Sequence, residues 1–227
     1  MISVVVLIGF TFLNVLLLGY AERKISGRIM RRPGPMEVGP QGIFQLLVDG
    51  VKLMAKQFIV PSEAGTLFRI APLLAFMPVG LSFIVIPFSN RIQVRDLDTG
   101  LVFMLAVMSL NTFAILVAGW TSNSKYSLFG AIRSVAQSVA YEIPMLLSLL
   151  SVVLMANTLS MRGIVLAQSP VWYVVVQPVA FLIYFVAGLA ETNRAPFDLP
   201  EAESELTAGF HTEYSGMGFS MFFLAEY

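Results

Sequence analysis

Long runs of apolar residues without a charge recur along the chain. A membrane-spanning helix rises about 1.5 Å per residue and needs about 20 apolar residues to cross the hydrocarbon layer. Runs close to this length predict spans at residues 2–21, 70–88, 100–121 and 170–190. Residues 135–155 are equally apolar apart from Glu142 and predict a fifth span, whereas residues 215–227 open like a sixth but reach about half the needed length.

These runs favour helices over membrane strands. Strands of membrane barrels alternate apolar and polar residues over about ten positions, whereas the runs in this chain are apolar on all sides. We therefore predict an all-α fold, a polytopic transmembrane helical bundle that forms one membrane domain over residues 1–227. It has five full spans plus the start of a sixth.

A different period follows the first span. Residues 32–42, RPGPMEVGPQG, are rich in Pro and Gly and predict an ordered turn. Within residues 41–58, polar side chains recur at i, i+4, i+7 and i+11, at Gln45, Asp49, Lys52 and Lys56. This single polar stripe predicts an amphipathic helix that lies in the interface or packs among the spans without crossing. A helix that only anchors the chain to the lipid surface is an equal alternative.

Composition narrows the function classes. The chain is 57% hydrophobic and 12% charged, against about 25% charged in soluble domains, so most of it belongs in lipid. Its formal net charge is zero, which gives no support to a nucleic-acid partner. With no Cys and the single His211, it offers no disulfide, no thiolate-bound metal or iron–sulfur cluster and no bis-histidine haem. We predict no metal and no redox centre in this chain.

The distribution of basic residues predicts the orientation. The segments 22–69, 121–134 and 191–214 carry eleven of the 14 Lys and Arg residues, and the opposite side carries Arg91, Arg95 and Arg162. The positive-inside rule places the first group in the cytoplasm or the mitochondrial matrix, and the N-terminus outside. No basic region precedes the first apolar run, so we predict a retained helix there and not a cleaved signal.

Glu142 lies inside a predicted span, where a carboxylate costs a few kcal/mol or more unless it is paired, protonated or beside water. Tyr141 precedes it and Pro144 follows, and a proline frees a backbone carbonyl one turn earlier. This combination favours a kinked polar pocket with a proton-exchanging acid. A fixed ion pair with Arg133 is the alternative.

The segment 191–214, ETNRAPFDLPEAESELTAGFHTEY, contains six acids and the single base Arg194. We call this segment the acidic loop. Clustered carboxylates raise one another's pKa, so some of them can hold protons near neutral pH. Apolar and aromatic side chains interleave with the acids, which suits a loop that folds inward against the bundle. A solvated surface loop is the alternative.

Five blocks of the sequence resemble one known family. They are AERKISGRI at residues 21–29, GPQGIFQLLVDGVKL at 39–53, GWTSNSKYSLFGAIRSVAQSVAYEIP at 119–144, ETNRAPFDLPEAESELTAGFHTEY at 191–214 and FFLAEY at 222–227. The family is the membrane subunit of proton-pumping NADH:quinone oxidoreductase (respiratory complex I), which is called subunit 1 in mitochondria and the H subunit in bacteria. The fourth block is long and unusual enough to exclude chance convergence.

The resemblance implies an eight-span subunit at the joint between the redox arm and the membrane arm, where it forms much of the quinone tunnel. It implies that one set of acids forms or borders a proton-coupling chain, at Glu142, Glu191, Asp198, Glu201, Glu203, Glu205 and Glu213. It implies a second set near the tunnel or its entrance, at Glu22, Arg23, Arg32, Asp49 and Lys52. Tyr141, Arg133 and Arg194 are supporting candidates beside the acids.

The resemblance also implies what lies around this chain. Quinone is the substrate, and NADH, flavin and iron–sulfur clusters belong to partner subunits. The partners are the peripheral quinone-site subunits, the neighbouring membrane subunits and the lipid of a bacterial cytoplasmic or mitochondrial inner membrane. The family continues for roughly two more spans beyond FFLAEY, so the chain is either incomplete or a short form.

The predicted function is therefore a non-redox, quinone-channel and proton-coupling subunit, with no activity expected alone. Within the superfamily, the equivalent subunit of a membrane-bound hydrogenase or related dehydrogenase is the alternative. A stand-alone proton or cation transporter is compatible with Glu142, although no internal repeat of the transporter kind is evident.

Overall fold

The computed structural model describes residues 2–62, 64–89, 93–198, 200 and 207–226. Within these ranges it contains helices and two short 3-10 turns but no strand, so the all-α prediction is confirmed for this part of the chain. The helices are α1 (Ile2–Ile29), α2 (Gln45–Ala55), α3 (Thr66–Ser82), α4 (Gly100–Thr121), α5 (Lys125–Ala156), α6 (Met161–Ala167), α7 (Tyr173–Val176), α8 (Pro178–Glu191) and α9 (Gly216–Glu226). The 3-10 turns are Pro40–Gly42 and Gly209–His211.

The helices are grouped into two compact units. Unit 1 comprises the residues up to Ile59 and those from Tyr214 onward, and unit 2 comprises Val60–Glu213. In unit 1, α2 packs on both α1 and α9. The backbone N–H of Ile59 donates to Ser215 Oγ at 3.0 Å, which ties the segment after α2 to the start of α9.

Helix α1 continues eight residues beyond the predicted span. The charged residues that follow the apolar run mark a membrane boundary, but Ala, Glu, Arg and Lys are good helix formers, so the helix does not end there. It ends where Arg31 adopts a left-handed conformation, with φ of 53°. The N–H of Arg32 then donates to the Gly27 carbonyl at 2.8 Å, the usual closure of such a helix end.

In unit 2, α3 packs on α4, α4 on α5, and α5 on α8. Four fully buried side chains fill the α3–α4 side of this bundle: Phe68, Ala71, Ala75 and Ala118 are all at most 1% exposed. Three of the four are alanines, and small side chains allow helix axes to approach closely in membrane bundles. This packing sets α4 and α5 side by side and positions the polar groups described below.

Two helices among the described residues, α4 and α5, are long and apolar enough to cross a membrane. Helix α4 has the predicted bounds of 100–121. Helix α5 contains the predicted span 135–155 but begins ten residues earlier, and it ends where Asn157 adopts a left-handed φ of 51°. The count of five full spans stays a prediction, since α3 and α8 are shorter apolar helices.

The predicted span at residues 70–88 is only partly helical. Helix α3 begins four residues earlier and ends at Ser82, followed by a turn in which the Val85 N–H donates to the Ser82 carbonyl at 3.3 Å. Pro87 disfavours helical geometry in the residue before it, which explains why the helix does not continue to Phe88.

The predicted span at residues 170–190 is interrupted by a joint at Gln177–Pro178 between α7 and α8. Gln177 leaves helical geometry, at φ −127° and ψ 61°, because Pro178 restricts the residue that precedes it. Helix α5 binds this joint through two hydrogen bonds: Ser151 Oγ donates to Gln177 Oε1 at 2.9 Å, and Gln177 Nε2 donates to the Ser151 carbonyl at 3.3 Å.

The predicted amphipathic helix at residues 41–58 forms over Gln45–Ala55.

Candidate functional site

Three helices of unit 2 bring polar groups together around two carboxyls. Glu142 lies on α5, and Ser109 on α4 donates its hydroxyl proton to Glu142 Oε1. Glu191 is the last residue of α8 and interacts electrostatically with Glu142. We call Glu142 and Glu191 the carboxyl pair.

The surroundings of the carboxyl pair are poor in compensating groups. The Oε2 atom of Glu191 is buried and has no hydrogen-bond partner among the described residues. The C-terminal end of α8 also carries the negative end of the helix dipole.

The alternative of a fixed ion pair between Glu142 and Arg133 finds no support. Arg133 precedes Glu142 by nine residues on α5, which corresponds to about 13.5 Å along the helix axis. Pro144, two residues after Glu142, has no N–H for the Ala140 carbonyl, so a backbone acceptor is released two residues before Glu142. Glu142 thus lies beside a hydroxyl and a released backbone carbonyl, whereas the kinked polar pocket stays a prediction.

Gln137 joins α5 to the end of α8 and to the residues that follow Glu191. Its Nε2 atom lies 2.8 Å from the Ala190 carbonyl, 3.1 Å from Asn193 Oδ1 and 2.9 Å from the Phe197 carbonyl. Tyr141, one turn further along α5, sets its ring edge-to-face against Phe197 at a centroid distance of 5.2 Å. Both side chains hold the beginning of the acidic loop against α5.

The other end of the acidic loop also lies on α5. Ser127 Oγ donates to the Phe210 carbonyl at 2.6 Å, and both residues are buried. A Cβ added to Gly130 would lie 2.7 Å from the Gly209 backbone, so only glycine permits this approach. Burial lowers the pKa of His211, in the same turn, from its usual 6.5 to about 4. The described ends of the loop therefore favour the inward-folded alternative.

The other predicted acids of the loop are either exposed or outside the described residues. Asp198 and Glu213 are exposed, and Arg194 is half-buried, with its backbone N–H donating to the Leu189 carbonyl at 3.2 Å. Glu201, Glu203 and Glu205 lie outside the described residues. Of the predicted acids in unit 2, Glu142 and Glu191 interact electrostatically with each other.

Unit 1 contains a second polar site, which we call the ion-pair site. Arg23 Nη1 on α1 donates to Asp49 Oδ2 on α2 at 2.6 Å, and Gln45 Nε2 donates to Asp49 Oδ1 at 3.0 Å. Partial burial raises the pKa of Asp49, but the hydrogen bonds from Arg23 and Gln45 and the charges of Arg23 and Lys52 outweigh it and hold the pKa below its usual value. Asp49 is therefore an anion at neutral pH.

The remaining predicted tunnel residues are at the surface of the described part of the chain. Glu22, Arg32 and Lys52 are all exposed. Lys52 lies one turn from Asp49 and contributes to its electrostatic environment. The polar stripe of α2 is thus partly turned to Arg23 and partly exposed.

Lys24 was not singled out by the sequence, yet it organises the turn between α1 and α2. Its Nζ atom donates to the Pro35 carbonyl at 2.7 Å and to the Gln41 carbonyl at 2.9 Å. Tyr20 donates its hydroxyl to the same Gln41 carbonyl at 3.1 Å. Gly42, at φ 79°, lies so close to the Pro35 carbonyl that an added Cβ would be 2.2 Å away. The Pro- and Gly-rich segment is thus the ordered turn that the sequence predicts.

Three polar residues that sequence reasoning missed complete the two sites: Ser109, Gln137 and Lys24. Ser109 is a hydroxyl within an apolar run, and such residues in membrane helices often bond across helices. The other two bind backbone carbonyls, which leave no signature in the sequence.

The fold and these sites define a class of protein. Most of the apolar side chains of α4 and α5 are not buried: the buried share of their most apolar windows is 28% and 11%, whereas the core helix of a soluble protein is mostly buried. Acids held within such helices are characteristic of functional sites in membrane proteins. The chain is thus a helical membrane protein whose internal polar groups include carboxyls.

The chain belongs to the NADH dehydrogenase family, whose pattern matches residues 2–227. It is 49% identical over 228 residues to the H subunit of NADH-quinone oxidoreductase from Dehalococcoides mccartyi (strain CBDB1), covering 100% of this chain and 64% of that protein. The H subunit from Carboxydothermus hydrogenoformans is 48% identical, with 100% and 65% covered. That of Desulfotalea psychrophila is 47% identical, with 99% and 72% covered. The resemblance seen in the sequence is confirmed, and the chain spans about two thirds of the length of these relatives.

Proposed function

We propose that this chain is the quinone-channel and proton-coupling membrane subunit of a proton-translocating NADH:quinone oxidoreductase. The observation that carries the proposal is the carboxyl pair, Glu142 on α5 and Glu191 on α8, with the Ser109 hydroxyl of α4 bonded to Glu142. Membership of the family and the names of the relatives supply the reaction. The chain contains no Cys, so electrons pass through partner subunits and this subunit shapes and couples the reaction.

The proton-coupling half of the proposal follows from the chemistry of the carboxyl pair. A carboxyl that lacks a basic partner can bind a proton and release it when its surroundings change charge. Ser109 can accept or donate a proton at the same point, because a hydroxyl is both donor and acceptor. Asp198, Glu201, Glu203, Glu205 and Glu213 would extend this set toward the redox arm, with Tyr141, Arg133 and Arg194 as supporting residues.

The quinone half of the proposal rests on unit 1. The ion-pair site offers the Arg23 guanidinium beside the amphipathic helix α2, which carries Lys52. These cations can donate to the carbonyl oxygens of a quinone head group, and the apolar face of α2 can contact its tail. Glu22, Arg23, Arg32, Asp49 and Lys52 are the proposed tunnel residues. NADH, flavin and iron–sulfur clusters would be held by the partner subunits.

The proposed setting is a bacterial cytoplasmic or mitochondrial inner membrane, with the basic segments on the cytoplasmic or matrix side. There the chain would contact the peripheral quinone-site subunits and the neighbouring membrane subunits. No activity is expected of the chain alone. The relatives named here are all NADH-quinone oxidoreductase subunits, which favours this assignment over a hydrogenase subunit or a stand-alone transporter.

Replacing Glu142 in the assembled complex tests the proton-coupling half. Glu142→Gln keeps the shape and the bond to Ser109 but cannot exchange a proton, so coupled quinone reduction and proton pumping should fall about tenfold or more. The two rates are measured in membrane vesicles. NADH oxidation by ferricyanide, which does not need the quinone site, reports on assembly and should stay unchanged.

Glu37→Gln is the matched control. Glu37 is an exposed acid in the turn between α1 and α2, so its variant should behave like the wild type. Wild-type quinone reduction and pumping in Glu142→Gln would refute the proton-coupling proposal.

A further inference from the structure

Gln137 has an unusual concentration of acceptors around one nitrogen atom. Its Nε2 carries two hydrogens and lies within hydrogen-bond distance of three oxygens, at Ala190, Asn193 and Phe197. All three acceptors belong to the eight residues that begin at the end of α8. One side chain of α5 thus holds the whole connection between α8 and the acidic loop.

Gln137 does not act on this segment alone. Ser134, Gln137 and Tyr141 are spaced at i, i+3 and i+7 and therefore lie on one face of α5. Asn193 Nδ2 approaches Ser134 Oγ at 3.5 Å, and the Tyr141 ring contacts the Phe197 ring. Gln137 is the central and most strongly bonded member of this face.

The hydrogen bond from Gln137 to the Ala190 carbonyl lies directly beside Glu191. Ala190 immediately precedes Glu191, and its carbonyl is among the last ones of α8, which have no partner within the helix. The N–H of Asn193 approaches this carbonyl at 3.3 Å, and Gln137 approaches it more closely, at 2.8 Å. Because Glu142 follows Gln137 by five residues on the same helix, one side chain fixes the backbone of Glu191 relative to the helix that carries Glu142.

We propose that Gln137 is a positioning residue that sets the separation of the two carboxyls of the carboxyl pair. It binds the backbone on the N-terminal side of Glu191 and the turn on its C-terminal side, and it exchanges no proton itself. This inference rests on the proposed proton-coupling role of Glu142 and Glu191. An amide suits the position because it donates two hydrogens and adds no charge beside the two acids, whereas a carboxylate would donate none and a lysine would neutralise the pair.

Gln137→Met in the assembled complex removes the donors and preserves the length of the side chain. Loss of positioning should lower the turnover number of quinone reduction by about 10- to 100-fold and leave the KM for quinone unchanged, since the quinone site is not altered. Gln137→Asn, whose amide is one methylene shorter, should show a smaller loss of the same kind. Ferricyanide reduction by NADH reports on assembly in both variants.

The decisive measurement is a double-mutant cycle with Glu191→Gln. If Gln137 acts through Glu191, Gln137→Met should cause no further loss in the Glu191→Gln background. An additive loss would instead assign Gln137 an independent structural role and overturn the inference. Failure of both Gln137 variants to assemble would overturn it as well, because the residue would then be needed for folding.

Gln93→Met is the matched control. Gln93 also donates its amide to a backbone carbonyl, that of Val85, at 3.0 Å, but it belongs to the connection between α3 and α4. It should keep wild-type turnover. Wild-type turnover in Gln137→Met, together with a loss in Glu142→Gln and Glu191→Gln, would refute positioning and leave the proposed function intact. Wild-type turnover in the two Glu variants would refute the proposed function itself.

Discussion

Lys24 in unit 1 and Gln137 in unit 2 have the same structural role: each binds backbone carbonyls of an irregular segment. Each uses one nitrogen atom to hold oxygens of a segment that has little secondary structure of its own. Neither nitrogen binds a carboxylate in these contacts. Lys24 follows Arg23 of the ion-pair site, and Gln137 lies on α5, the helix that carries Glu142. In each unit, a side chain that binds backbone carbonyls thus lies close in sequence to residues of the proposed sites.

Replacing Lys24 with Met should loosen the turn between α1 and α2. A hydrogen bond to a charged donor contributes about 1.5–3 kcal/mol, so opening of the turn should become about tenfold or more easier. The amides to follow are those of Gly42 and Phe44, which bond to the Gly39 and Val38 carbonyls. Their hydrogen–deuterium exchange is measured in the assembled complex.

Lys56→Met serves as the control for Lys24, because the Lys56 side chain is exposed beyond the end of α2. Equal exchange in the two variants would show that Lys24 does not hold the turn.

At the scale of elements, the charge pattern predicted α4 well and other helices less well. Helix α4 carries no charged residue from its first to its last position, so the predicted span and the helix have the same bounds. Helix α1 extends into charged sequence at its C-terminal end, where Arg31 closes it in a left-handed conformation. Helix α5 extends into charged sequence at its N-terminal end, and Asn157 closes its other end close to the predicted boundary. The joint at Gln177–Pro178 follows from proline, whose effect on a long apolar run the hydropathy pattern does not register.

The docking of the Gly209–His211 turn on α5 should depend on pH. The pKa of His211 is about 4 in the folded chain against 6.5 ordinarily, so the undocked form takes up a proton first. Docking stability is therefore fully present above about pH 6.5 and is lost progressively as the pH falls toward 4. Hydrogen exchange of residues 207–213, corrected for its intrinsic pH dependence, should be faster at pH 5 than at pH 7.

His211→Phe keeps an aromatic ring beside Phe210 and removes the titrating group. The pH dependence of this segment should flatten in the variant. An identical pH dependence in both proteins would exclude His211 as its source.

At the scale of the whole molecule, the sequence alone predicted the class, the family and many of the candidate residues. The five sequence blocks that resemble the family, including the acidic loop, were sufficient for this, because each block is a contiguous stretch of the sequence. The pairings were not predicted: Arg23 and Asp49 are 26 residues apart, and Ser109 and Glu142 are 33 apart. Such contacts depend on helix packing, and Gln137 and Lys24 bind carbonyls that every residue possesses.

A photoreactive quinone analogue should label unit 1 if the proposed quinone entrance is correct. The ion-pair site and the amphipathic α2 predict crosslinks within residues 41–58 or the first span, and an excess of unlabelled quinone should suppress them. Mass spectrometry of the labelled complex gives the positions. Labelling confined to residues 91–98 would contradict the proposed entrance.

The joint at Gln177–Pro178 bears on how the chain relates to its bilayer. Helix α8 has 14 residues and is about 21 Å long, whereas the hydrocarbon layer is about 30 Å thick. The predicted span at residues 170–190 would therefore cross the layer as two pieces joined at Gln177, whose side chain is hydrogen-bonded to Ser151. In that arrangement a mismatch between protein and lipid thickness would be taken up at this joint, and α8, which ends at Glu191, would shift in depth with the thickness of the bilayer.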